Sequence, residues 1–241
     1  MLEALYNAIR KDAAPTLVKV GGRDYVDKDL EPIHAPCPQP LMVSTLTALA
    51  DYLNTNVDEL ERGKLICHVE SPEKVSIRSA LLGNFADRAC YILAKLDQLE
   101  IPFNQWKDAE TFNIILQSSF AEPEGLAATH KGLVLKYIGS IVAINESATA
   151  DDGITQAVAV KTGISSKAVK ALPNPVTLRP YRTFVEVEQP ASSFIFRCRQ
   201  NGENGVQFSL VEADGGAWRA EAMKNIKAFI AHAVPGLSVI A

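Results

Sequence analysis

The chain has 241 residues, 47% apolar and 22% charged, which is enough length and apolar content to bury a sizeable core and excludes a disordered or fibrous protein. Its net charge of −4 argues against an obligate nucleic-acid binder; residues 1–150 carry 14 Lys and Arg against 20 Asp and Glu, whereas 151–241 carry 10 against 8. Four cysteines without tight spacing make no disulfide framework, and no window approaches the roughly 18 apolar residues that span a bilayer.

Leu2, Leu5, Ala8 and Ile9 have helical spacing, so residues 2–11 are expected as a short helix or arm. TLVKV-GG-RDYV reads as a hairpin, its glycines supplying the positive φ of a two-residue turn. PIHAPCPQP (32–40) is too proline-rich for a helix or a ladder and should run as an extended connector. Val43, Leu46, Leu49, Ala50 and Leu53 form an apolar helical stripe, and VDELERG reads as a second short turn stopping at Gly63. KLICHVE and KVSIRSALL are the arms of a hairpin around Ser71-Pro72-Glu73. Asp108 is placed to cap a helix burying Phe112, Ile115, Leu116 and Phe120, and residues 123–139 continue as a helix with Pro123 in its first turn. IVAINESAT and GITQAVAVKTG flank Asp151-Asp152-Gly153 as a third hairpin.

VTLRPYRTF then reads as a strand with an edge-type proline at Pro180, followed by a hairpin across NGENG, a helix from about Gly216 to His232, and a final strand at Leu237–Ile240. Recurrent hairpins without a parallel strand–helix–strand series point to an α+β fold, a mostly antiparallel sheet with packed helices. One domain over residues 1–241 is expected, with an N-terminal arm (1–14) and a weak internal boundary near 145–153.

No motif of catalysis or phosphate binding is present: no nucleophile elbow, no Walker loop, no His-Glu-x-x-His. His34, Cys37, Cys67 and His68 are zinc-ligand types, but neighbours on a strand point to opposite faces, so Cys67 and His68 do not converge on one metal. Asp24, Asp27, Asp29 and Glu31 alternate without the central glycine and twelfth-position glutamate of a calcium loop. No metal and no cofactor is therefore expected. In SFIFRCRQ the period of two puts Phe194, Phe196 and Cys198 inward and Arg197 and Arg199 outward, with Arg179 and Arg182 on the preceding strand. These four arginines are the candidate ligand- or partner-binding set, through bidentate contacts to phosphate. Their competing role is a solvated face paired with Glu186 and Glu188, or a protein–protein surface. Asp214-Gly215-Gly216 marks a tight strand-to-helix turn, with Asp214 capping the helix.

LPNPVTLRPYRTFVEVEQPASSFIFR and VEADGGAWRAEAMKNIKAFI, with VESPEKVSIRSALLGNFADRACYILAKL, DAETFNIILQSSF and DDGITQAVAVKTG before them, resemble the YfdQ-like family of prophage and phage proteins, a domain of unknown function. The resemblance covers about residues 15–235. It implies a phage- or prophage-encoded protein acting in the bacterial cytoplasm, without catalytic residues to carry over. MLEALYNAIRKDA lacks the basic start and apolar run of a signal peptide, which agrees with a cytoplasmic protein and no membrane partner. The expected function is non-enzymatic self-association into a ring or shell, with nucleic acid, a phosphoryl ligand, or a host or phage protein as the alternative partner of the arginine set.

Overall fold

The computed structural model describes the chain except residues 1, 14, 21–22, 27–35, 84–85, 98–99, 123–129, 143–146, 152–155, 163–164, 169–171 and 202–204. The described residues fall into two compact units, Met1–Cys37 and Pro38–Ala241. The division falls after Cys37, inside the proline-rich stretch 32–40.

The first unit holds α1 (Leu2–Ala13) and an antiparallel hairpin of β1 (Leu17–Val20) and β2 (Arg23–Val26), paired Val20 to Arg23. The helix and hairpin stand where the spacing of Leu2 and Leu5 and the strand-glycine-strand pattern put them. The Gly21-Gly22 turn lies outside the described residues, as do His34, Asp27, Asp29 and Glu31.

The second unit opens with β3 (Leu41–Val43) and α2 (Leu46–Thr55). The Thr45 hydroxyl accepts from the Ala48 amide at 3.2 Å, and this cap starts the helix at Leu46. Val43, expected on the helical stripe, pairs with Ala94 as the last residue of β3. The second helical turn expected through VDELERG is replaced by left-handed residues at Asn56 (φ 48) and Glu59 (φ 52) and a single 3-10 turn at Arg62–Lys64. Two left-handed residues three apart cannot belong to a right-handed helix.

There follow β4 (Leu65–Ser71), β5 (Lys74–Ser79) and β6 (Cys90–Lys95), then β7 (Lys107–Asp108), α3 (Ala109–Ser119), β8 (Phe120–Ala121) and α4 (His130–Val142). Ile141 and Val142, expected in a strand, are the last residues of α4, and Pro123 lies outside the described residues. Next come β9 (Ser147–Asp151), β10 (Gln156–Thr162) and β11 (Ser165–Ala168), β12 (Val176–Pro180), β13 (Ser192–Gln200), β14 (Val206–Glu212), α5 (Trp218–Ala233) and β15 (Ser238–Ile240).

These strands make two five-stranded sheets and one three-stranded sheet, giving the expected α+β class. The first five-stranded sheet runs β15-β4-β5-β6-β3; its centre is antiparallel, and both outer pairs, β15 with β4 and β3 with β6, are parallel. Leu65, Cys67 and Val69 alternate inward along β4, against Leu49 and Leu53 of α2 and Ile226 and Ile230 of α5. The second sheet, β7-β14-β13-β12-β8, is antiparallel throughout and is backed by α3 and α4. Its core is aromatic: Phe196 stacks on Phe208 at 5.8 Å and meets Tyr137 edge-on at 5.8 Å. The three-stranded sheet, β11-β10-β9, contains the third expected hairpin.

The segment between β12 and β13 joins the two cores. VTLRPYRTF was expected as one strand, but β12 ends at Pro180, beyond which Phe184 and Val187 sink into the core of the first sheet. The Glu186 carboxylate accepts from the Leu46 amide at 2.9 Å and the Thr47 amide at 3.3 Å, facing the positive end of α2. Thr183 donates to the Pro72 carbonyl at 2.6 Å, and the buried Gln189 amide bonds the backbone of Arg182, Thr183, Phe184 and Val187. This satisfies a turn that would otherwise bury bare peptide groups.

Asp108 caps α3 as its position implies, accepting from the Thr111 amide at 2.9 Å. Asp108→Ala is expected to cost about 1 kcal/mol, the usual value of such a cap. Bonds from the Thr111 amide and hydroxyl hold the carboxyl below its ordinary range. The cap is therefore fully formed above the usual aspartate range and lost as the pH falls through the lower folded value. Urea titrations of the wild type and Asp108→Ala should differ at pH 7 and converge in strong acid.

Candidate functional site

The hairpin of β13 and β14 pairs Arg197 with Ser209 and Arg199 with Gln207. Phe194, Phe196 and Cys198 are buried while Arg197 is half-buried and Arg199 exposed, the alternation read from SFIFRCRQ. Arg199 donates to the Gln207 side chain at 3.0 and 3.2 Å and lies 4.3 Å from the Trp106 ring centre. Arg179, half-buried on β12, is ion-paired with Glu188. The pairing of Val176 with Phe194 and Leu178 with Ser192 sets Arg179 level with Ala191, six positions from Arg197. At about 3.4 Å per residue that is roughly 20 Å, so the outward arginines form no single cluster.

Arg182 is a different kind of residue from the other three. It follows β12 and is only 7% exposed. Its guanidinium binds the Glu212 carboxylate and the Ser192 hydroxyl, and lies 4.0 Å from the Trp218 ring centre, 5.6 Å from Phe103 and 5.7 Å from Phe194. Burial pulls its pKa down to about 10, against the opposing charges of Glu212 and Asp214, so it remains cationic at neutral pH. A cation enclosed this way binds sheet and helix together, tying β13 and β14 to the start of α5. A cleft of about 310 Å³ opens beside it, lined by Phe103, Tyr181, Arg182, Glu212, Trp218 and Arg219.

The turn into α5 explains its glycines. Gly216 has φ +82, a left-handed backbone that strains any residue with a Cβ and so favours glycine. Asp214 accepts from the Gly216 amide at 3.0 Å and so closes the turn, rather than capping the helix itself, which starts at Trp218. Burial opposes ionisation of Asp214, but the Ser192 hydroxyl, the Gly216 amide and the Arg182 charge together hold its carboxyl below the usual range. Trp218, Ala222, Ile226 and Ile230 are the buried stripe of α5.

Of the metal-ligand types, His34 lies outside the described residues and Cys37 is exposed. Cys67 is fully buried, which pushes its thiol up to about 12, while His68 is half-buried on the next position of β4. Among the described residues no three His, Cys, Asp or Glu side chains are grouped to hold a metal ion. No helix among them is long and apolar enough to cross a membrane.

The exposed apolar side chains stand elsewhere. On α1, Leu2 is 84% exposed, Leu5 57% and Tyr6 64%, at the i, i+3, i+4 positions of one face. On β3, an edge strand, Leu41 and Met42 are exposed. Sequence spacing shows the first face; the second lies on a three-residue strand, too short to show a period. The architecture is that of an α+β protein with two helix-backed five-stranded sheets. No family model, no curated protein and no solved structure matches the chain.

Proposed function

We propose that this chain is a non-enzymatic, self-associating protein of phage or prophage origin, which builds a ring- or shell-like assembly in the cytoplasm of the host. The observation that carries the reading is the uncovered apolar face of α1, where Leu2, Leu5 and Tyr6 are all more than half exposed. A helix of 12 residues is marginal in water by its own propensity and is normally held by packing of such a face. A second copy supplies that packing. The likeness of LPNPVTLRPYRTFVEVEQPASSFIFR to phage-family wording supports the origin.

The alternative, nucleic acid or a phosphoryl ligand on the arginine set, has less support, because Arg179 and Arg182 already answer carboxylates and Arg179 is remote from Arg197. Light scattering on the full chain tests the proposal. The wild type should elute as an oligomer, and Leu2→Glu with Leu5→Glu should shift it to smaller species while leaving the far-ultraviolet circular dichroism of the second unit intact. A wild type that stays monomeric at every concentration would refute the proposal.

A further inference from the structure

We infer that the cleft beside Arg182 is a binding site for a small zwitterion, an amino acid or dipeptide with an apolar side chain. The inference concerns the second unit alone and does not rest on the self-association reading. Size, charge and the state of the lining groups support it.

The cleft holds about 310 Å³, the small end of the roughly 300–1,000 Å³ that small-molecule sites occupy. That volume suits one compact molecule rather than a longer chain. Three separate segments wall it: Ile101 and Phe103 precede β7, Tyr181 follows β12, and Trp218 and Arg219 open α5.

Charge decides the ligand class. Arg182 and Glu212 are bonded to each other, so neither asks for an outside ion. Glu100 and Arg219 line the same cleft, and neither has an ion pair or a side-chain hydrogen bond among the described residues. One unanswered anion and one unanswered cation leave the lining without net charge. A zwitterion matches both, its ammonium with Glu100 and its carboxylate with the planar guanidinium of Arg219. Phosphate would meet Glu100 and Glu212 as like charges, which disfavours it.

The lining is also prepared for acceptor oxygens. The Arg219 guanidinium is held 5.1 Å from the Trp218 ring centre, so a carboxylate has little side-chain ordering to offset. Trp218 is 7% exposed, and its buried indole N–H has no acceptor among the described residues. A buried donor without an acceptor is costly, and this one stands beside Arg219 on the cleft wall. Ile101 and Phe103, both half-buried, and the ring of Tyr181 supply apolar surface for the ligand's side chain.

Calorimetric titration of the full chain with L-phenylalanine and with glycyl-L-phenylalanine tests the site, and the tighter of the two distinguishes a free amino acid from a dipeptide. Saturable binding is expected at millimolar concentration or below. It should change the fluorescence of Trp218 in a Trp106→Phe background, where Trp218 is the sole tryptophan. Arg219→Gln should weaken binding about tenfold, the loss of one charge-assisted contact, and Glu100→Gln by a similar factor. Both side chains are exposed, so circular dichroism should show both variants folded as the wild type is. Phenylpropionate, which lacks the ammonium, and phenylalaninamide, which lacks the carboxylate, should each bind about tenfold more weakly. Absence of saturable binding by both probes and by the other proteinogenic amino acids would overturn the inference. Phenylpropionate binding as tightly as L-phenylalanine would overturn it too, by making this a site for anions alone. Affinities unchanged by both Arg219→Gln and Glu100→Gln would place the ligand elsewhere.

Discussion

Arg182→Met should lower the stability of the second unit by about 3 kcal/mol, the low end of the cost of breaking a buried ion pair from one side. The low end applies because the Glu212 side chain is 36% exposed, so water takes over part of its hydration when the guanidinium is gone. The substitution also removes the cation from the Trp218 ring face and the donor from Ser192. For a unit of this length the loss corresponds to a fall in Tm of about 6–12 °C. Adding Glu212→Gln to Arg182→Met should return part of it, because the second change removes the carboxylate left without its cation. Equilibrium unfolding in urea measures all three proteins. A loss below about 1 kcal/mol would show that Arg182 is dispensable to the fold, and would return it to the set of ligand-binding candidates.

The second large effect is expected at Phe184→Ala, about 3–5 kcal/mol, from deleting a fully buried phenyl ring. Phe184 comes from the segment between strands of the second sheet but packs in the core of the first. Its loss should therefore do more than lower the midpoint: it should separate the unfolding of the two sheets. Trp106 fluorescence, followed in a Trp218→Phe background because Trp218 belongs to α5, reports on the second sheet beside Arg199, whereas far-ultraviolet circular dichroism reports on both cores. In the wild type the two signals should coincide, and in Phe184→Ala the dichroism should begin to fall first. Coincident transitions with a small loss would mean that the cores are joined by other contacts, such as the Glu186 bonds to α2.

A buried, charge-paired Arg182 and an open β3 edge change what the arginines mean for function. Alternation in SFIFRCRQ correctly separates inward Phe194 and Phe196 from outward Arg197 and Arg199, because the side-chain period of a strand is a property of the backbone alone. It carries no information on distance along the neighbouring strand. Only the register of β12 on β13 reveals that Arg179 lies level with Ala191. Nor does alternation apply to Arg182, which sits past the end of β12, where the chain has left the pleat.

The same division runs through the fold. The hairpin around Ser71-Pro72-Glu73, the Asp108 cap and the helix at α5 were legible because each is decided within a few residues by turn chemistry, a side-chain acceptor or helical spacing. The errors at Val43 and at Ile141-Val142 are apolar residues beside an element boundary, where spacing alone cannot decide between helix and strand. The strand at β15 was legible in Leu237–Ile240, but the parallel pairings were not: β15 reaches β4 and β3 reaches β6 across long stretches of chain.

The sequence by itself determined the class of fold, most of the hairpins and helices, and which side chains each strand turns inward, because these follow from local geometry. The tertiary structure alone decided that Arg182 answers Glu212, 30 residues away, that Glu186 serves a helix 140 residues earlier, and that β3 is an edge. Those pairings depend on which distant segments share a core, and that is set by burial of the whole chain rather than by any pattern within one segment.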